Sequence, residues 1–495
     1  MRNGPGTAAR AAGARRTRTP RGGRRRPGGV LAALLALLLA PACDAAPDSG
    51  SGGAAAGSGS GASHAADTGG DIVLASGVDV TGRGGIRRQL VEDWNKKQAA
   101  AGTRWRARIV DLPGSADQQR SQLLGALQSG SAEYDVVNLD VTWVPEFAAA
   151  DLVRELPGDL VDDQDVIPSV AATAKWGDQV YAVPFNSDVG LLYYRRDYLK
   201  SAGVTDPELG KDTHWSVVQQ LTEALGAADR KPAQAYEKGW TAQLDASYEG
   251  LTVNGIEAFA SAVDGLRLTD GAGRYSGTPK MLEAGVDELR NRTQAAYTLP
   301  DSARSDEADS LNDFARGRTA FLRHWPYAYG ALHQSLTPEQ LGVAPLPGRA
   351  VLGGQNLAVT TASKRANAAV ELVRYLTDAG SERCLLNAGF AATRRSAYDH
   401  DGLECKLLKG SGAPSAPASK ESTDRMPRDG QGRPEYAHGT LLPALQKAVQ
   451  RPRTPLYGAF TQTFAAELGR LQSAKPPSKS ELAADLHAKL RQALP

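Results

Sequence analysis

Cysteine is scarce: three residues in a chain of 495. That excludes a disulfide-scaffold miniprotein. None of the three lies in a CxxC pair or near a His at ligand spacing, so no metal site and no cofactor are expected. Acidic residues are missing altogether from residues 1–42, which hold nine Arg and no Lys. The formal net charge of +2 therefore hides two unlike parts. Beyond residue 42 there are 48 basic and 55 acidic side chains, a net of −7. Such a chain repels nucleic-acid phosphates, and no nucleic-acid partner is expected. HExxH, Walker A and GxSxG patterns are absent. Metalloprotease, P-loop and α/β-hydrolase chemistries thus have no local support. At 41% hydrophobic, the chain is too apolar for wholesale disorder and long enough for two or three domains.

Long apolar runs are missing too. Residues 30–40 form a run of eleven, whereas a membrane-spanning helix needs about 20. Following seven Arg between Arg15 and Arg26, this run has the form of a secretory signal. A twin-Arg export signal at Arg24-Arg25-Arg26 is a weaker reading. The run ends in Ala40-Pro41-Ala42-Cys43, which resembles a bacterial lipobox with its Leu one position early, at Leu39. It predicts a signal over 1–42, lipidation of Cys43 and anchoring to the outer face of the cell membrane. The alternative is an ordinary cleaved signal. Residues 43–70, rich in Gly, Ser and Ala, read as a flexible tether. Cys384 and Cys405 then remain, and outside the cytoplasm they are expected to pair. A bridge closing a loop of about 20 residues contributes roughly 3 kcal/mol.

The folded part alternates. Ile72-Val73-Leu74-Ala75 suits a buried strand, and Ile86, Leu90, Val91 and Trp94 follow at helical spacing. Trp105, Ala107 and Ile109 read as a strand, Leu123, Leu124 and Leu127 as a helix, and residues 134–139 as a strand. This order implies βαβ units in a mostly parallel sheet, with ligands at the carboxyl ends of its strands. Two further strands, over 180–184 and 190–194, are expected to be interrupted by Asn186-Ser187-Asp188. Thr319 to Leu322 read as a strand, and Ala369, Val370, Leu372, Val373 and Leu376 mark an amphipathic helix. Residues 406–439 read as a long surface insertion.

Several segments carry a family resemblance in order. They include Asp135-Val136-Val137-Asn138-Leu139-Asp140 with Trp143, and Val183-Pro184-Phe185 through Asp188 to Leu191-Leu192-Tyr193-Tyr194. Gln243 with Tyr248-Glu249-Gly250-Leu251 follows, then Phe314-Ala315-Arg316-Gly317, Gly353-Gly354-Gln355-Asn356-Leu357 and Arg451-Pro452 with Tyr457. Together they resemble the extracellular solute-binding proteins of bacterial ABC transporters, family 1, near the trehalose/maltose binders. The resemblance implies a two-lobed α/β fold of the periplasmic-binding-protein type II, with discontinuous lobes joined by a hinge. Lobe 1 would comprise 71–187 plus 326–378, and lobe 2 188–325 plus 379–495. Crossings are expected near Asp188, Trp325–Tyr329 and Leu376–Gly380. A monomer that captures a di- or oligosaccharide by hinge closure and delivers it to ABC permease subunits is implied, with no catalysis.

Sugar recognition calls for carboxylates and amides facing hydroxyls and aromatic faces covering C–H faces. The resemblance implies Asp140, Asp188, Trp325, Gly354 and Arg451 as ligand residues, with Asp79 and Gln243 as further candidates. Asp140 also reads as a helix cap, Trp143 as either a stacking or a core residue, and Arg451 as a surface ion pair. Asn186 and Gln355 stand where the subgroup has aromatic residues, which predicts a more polar cleft. Two other functions fit the same residues. Asp140 and Asp188 would serve as acid and base in an extracellular glycoside hydrolase, and a binding protein would also serve a sensor uncoupled from transport.

Overall fold

The computed structural model describes residues 67–78, 85–227, 231–409 and 424–495. The signal, Cys43, Asp79, most of the tether and part of the 406–439 insertion lie outside the described residues. The strands, in chain order, are β1 (Asp71–Gly77), β2 (Arg106–Leu112), β3 (Val136–Asp140), β4 (Lys175–Trp176), β5 (Gln179–Val180), β6 (Val183–Val189), β7 (Leu191–Arg195), β8 (Lys238–Thr241), β9 (Thr319–His324), β10 (Leu341–Pro345) and β11 (Leu352–Val359).

The alternating apolar segments build what their order implies. β1 pairs in parallel with β2 and β3. The connecting helices Ile86–Ala100 and Ala116–Gln128 bury Leu90, Val91 and Trp94, and Leu123 and Leu127. A capping box at Ser115 and Gln118 starts the second of these. β11 and β6 complete the sheet in antiparallel sense, giving the order β2-β1-β3-β11-β6. A second sheet has the order β10-β7-β9-β8. The architecture is α/β: two large sheets packed with helices, and a small antiparallel pair, β4-β5. No helix among the described residues is long and apolar enough to cross a membrane.

Asn186-Ser187-Asp188 does not interrupt a strand, as expected from polarity. It lies inside β6, where the register against β11 shifts between Gln355 and Asn356. Polar side chains are tolerated there because they find partners: the Asn186 side-chain oxygen accepts from Arg87 and Ser187 Oγ–H donates to the Gly353 carbonyl. β6 passes through Gly190 alone into β7, so the chain changes sheet beside Asp188. A Cβ at Gly190 would meet Glu257 Oε1 at 2.2 Å, so only glycine fits this joint.

The other crossings differ from expectation. After Trp325 the chain forms the helix Tyr327–Leu332 and then β10, which pairs with β7 in the second sheet. The change of sheet comes between β10 and β11. At Leu376–Gly380 the chain also stays where it is: Cys384, Leu385 and Phe390 pack with Leu90, Trp94 and Leu376 against the first sheet. The return runs through Val449, bridged to Val351, into the helix Tyr457–Gly469, which packs on the helix Glu249–Ala262. Residues 341–345 therefore belong with the second lobe, and residues 379–390 with the first. Local patterning could not reveal either, because each placement depends on a partner more than 90 residues away.

Cys384 and Cys405 form a disulfide with Cα atoms 4.5 Å apart. The end of the predicted tether is docked. Asp67 accepts from the backbone N–H of Asn367 and Ala368 at 3.3 and 2.8 Å, capping the helix Ala366–Leu376. Thr68 N–H donates to the Lys364 carbonyl at 2.9 Å.

Candidate functional site

Strand pairing lines up three of the expected residues. Gln355 on β11 stands opposite Asp140 on β3 and opposite Asn186 on β6. Gly353 stands opposite Asp188. The carboxyl end of β3 and the far end of β6 thus present Asp140, Gln355, Asn186 and Asp188 in one band at the sheet end.

Asp140 is held from both sides. Its Oδ1 accepts from Thr142 N–H at 2.8 Å and from Thr142 Oγ1–H at 2.7 Å. This is a local turn rather than a cap, since the helix Val144–Ala149 begins at Trp143. Arg451 donates to both Asp140 oxygens, at 2.9 and 3.1 Å. The same guanidinium donates to Glu249, which also accepts from Tyr457 Oη–H at 2.5 Å. Arg451 is buried, and burial pushes the Glu249 carboxyl up against the opposing pull of Arg451. Because Asp140 ends β3 and Glu249 opens a second-lobe helix, Arg451 bridges the lobes. Its reading as a surface ion pair is corrected: the pair is buried and shared.

Asp188 is the opposite case. No hydrogen bond to its carboxylate is formed among the described residues. Burial pushes it up to about 7, Asp140 and Glu307 add to the shift, and Arg87 and Arg323 oppose it. Trp325 lies alongside. A Cβ at Gly353 would come within 3.1 Å of Asp188 Cβ and 3.2 Å of the Trp325 ring, so Gly353 keeps both in place. The indole N–H donates to Glu307 at 3.1 Å, and the Trp325 backbone N–H donates to His324 Nδ1 at 2.9 Å. One ring face covers the Arg323 guanidinium, 3.9 Å from the centroid. Arg323 is fixed in turn by Glu257 at 2.6 and 3.0 Å, fully buried. The ring stays partly exposed.

The remaining candidates divide. Asn186 is buried, and its side-chain oxygen accepts from Arg87 at 3.0 Å. Gln355 accepts from Asn138 at 2.5 Å and is partly exposed. Gly354 has φ 109°, and a Cβ there would meet the Asn186 carbonyl at 2.5 Å. Its glycine accommodates the bulge against β6. Gln243 is buried and donates to Ser310 Oγ and the Arg323 carbonyl at 2.7 and 2.9 Å, a structural role. Trp143 sits 3% exposed in the core. Asp79 lies outside the described residues.

Three residues of the site, Arg87, Glu307 and Tyr327, were not among the sequence candidates. Arg87 lies in the first turn of its helix, between the Phe185 and Phe390 rings, and reaches Ser76 at 3.2 Å. It helps line a cavity of about 160 Å³ with Ser76, Gly77, Val78, Gly85 and Asp111. Its place directly after the Gly-rich sequence 77–85 was the available clue. Glu307 and Tyr248 bond to each other behind Trp325. The Tyr327 phenol is raised by burial and by the nearby Glu307 and Asp188 carboxylates, which places it beside the same band. Among the described residues no group of His, Cys, Asp and Glu could hold a metal ion.

The family model for bacterial extracellular solute-binding proteins matches residues 81–383. The chain belongs to this family. Among the relatives of this solute-binding protein is a probable ABC transporter-binding protein of Deinococcus radiodurans, 28% identical over 354 residues, covering 69% of this chain and 80% of the relative. Among solved structures, maltose-bound MalE3 of T. maritima superposes with a TM-score of 0.66 at 22% identity, over 85% of this chain and 99% of that one. UgpB of Mycobacterium tuberculosis, in complex with glycerophosphocholine, gives a TM-score of 0.64 at 20% identity, over 86% and 99%. These likenesses establish the two-lobed fold.

Proposed function

We propose that this solute-binding protein captures a carbohydrate of two or more sugar units between its lobes and delivers it to the permease of an ABC importer. One observation carries the reading: Asp188, a carboxylate with no hydrogen bond among the described residues, stands beside the partly exposed, doubly tethered ring of Trp325. A carboxylate with free lone pairs accepts from paired hydroxyls. A fixed indole covers the apolar face of a pyranose without an ordering cost. The maltose in the MalE3 structure supports the same class of solute. The row of Asn186 and Gln355 favours hydroxyl contacts over further stacking.

The same reading covers the protein's role and place. It binds without catalysis: both oxygens of Asp140, the acid a hydrolase would need, are already engaged by Arg451. The lipid on Cys43 holds it at the outer face of the membrane, it works as a monomer, and nucleic acid is no partner. A thermal-shift screen across mono-, di- and oligosaccharides tests it. Stoichiometric stabilisation with the sugar recovered intact supports binding. Release of product over many turnovers would establish the hydrolase instead.

A further inference from the structure

Away from Asp188 and Trp325, a groove of about 920 Å³ opens between the two lobes. Residues 172–177 form its wall on the first lobe and residues 266–276 its wall on the second, with the returning segment 449–453 as floor. Its charges are unevenly matched. Lys175 is paired with Asp162 at 2.6 Å, Asp270 with Arg274 at 2.8 Å, and Arg451 with Asp140 and Glu249. Arg453 and Arg267 have no carboxylate among the described residues. Arg453 spends one amino group on the Ala172 carbonyl at 2.5 Å and the Gln450 side chain at 3.3 Å. Its Nε–H and second amino group make no hydrogen bond among the described residues. Burial alone brings this guanidinium down to about 10, the mark of a cation without a counter-charge. Trp176, partly exposed, lines the same groove.

We infer that this groove is a second binding site, for a small organic anion whose carboxylate or phosphate monoester sits on Arg453 and Arg267 while its ring lies against Trp176. A guanidinium with a free edge matches a two-oxygen anion in the bidentate manner. The volume is that of a small-molecule pocket. The assignment is independent of which solute the cleft takes.

The test titrates the full mature chain with phenyl phosphate and, separately, with benzoate, following Trp fluorescence and calorimetric heat. The two probes distinguish phosphate from carboxylate as the favoured group. Saturable one-to-one binding of at least one probe is expected. Arg453→Gln should weaken it at least about ten-fold, and Arg267→Gln, at an exposed position that does not threaten folding, by several-fold. Both variants should keep wild-type saccharide affinity. Absence of saturable binding by either probe overturns the inference, and so does binding that neither substitution changes.

Discussion

Asp140 and Arg451, 311 positions apart in the chain, meet at 2.9 and 3.1 Å. Through Arg451 the carboxyl end of β3 is tied to Glu249 and Tyr457 of the second lobe. Two residues that the family resemblance marks for ligand thus also hold the lobes together. The charge that a sugar would otherwise find at Asp140 is already half satisfied. On the proposed carbohydrate-binding reading, specificity then falls more heavily on Asp188.

This pairing predicts a stability effect. Arg451→Met leaves the Glu249 carboxyl buried without its cation. Loss of one partner of a buried pair costs about 3–5 kcal/mol. Urea unfolding should show a loss of that order, and Arg451→Met with Glu249→Gln should recover part of it. An unchanged midpoint for Arg451→Met would contradict the bridge.

Asp188 predicts a pH dependence. Its carboxyl ordinarily titrates near 3.8 and is raised to about 7 in the fold. The folded chain therefore holds a proton that the unfolded chain has lost between these values. Stability from this group falls as pH rises from about 4 to about 7, and is level above that. Sugar hydroxyls favour the ionised form, so affinity should rise over the same range. Calorimetry at about pH 5.5 and about pH 8 should differ by about ten-fold in Kd. Equal affinities, or a dependence that survives in Asp188→Asn, would refute this assignment.

The disulfide predicts a third effect. Cys384→Ser with Cys405→Ser removes a bridge inside the first-lobe core. It should lower stability by about 2–4 kcal/mol in thermal or urea unfolding, with saccharide affinity kept. A stability unchanged from wild type would show that the bridge contributes nothing.

The proposed lipid on Cys43 predicts a fourth. Cells grown with labelled palmitate should label the full-length protein, and Cys43→Ala should abolish the label and release the protein to the medium. Labelling that persists in Cys43→Ala would place the lipid elsewhere.

The central sheet was legible because Ile72 to Ala75, Ala107 and Val136 to Leu139 carry their apolar pattern locally. So was the helix Ala366–Leu376. The placement of β10 was not, since Leu341 acquires its meaning only opposite Arg195. The site divides in the same way. Asp188, Trp325 and Arg451 stood out by residue type and order. Whether each carboxylate is free or neutralised depends on Arg451, Glu307 and Arg87, which arrive from distant segments. The packing contacts of Gln243 and Gly354 appear only through their distant neighbours Ser310 and Asn186.

The most direct test of the carbohydrate-binding account is isothermal titration of Asp188→Ala against the saccharide that most stabilises the wild type. Replacing the free carboxylate removes about two charge-assisted hydrogen bonds, each worth about 1.5–3 kcal/mol. The account predicts affinity lost by at least about 100-fold, with an unfolding midpoint no lower than wild type because a half-buried carboxyl with no hydrogen bond among the described residues has gone. Wild-type affinity in Asp188→Ala would contradict it.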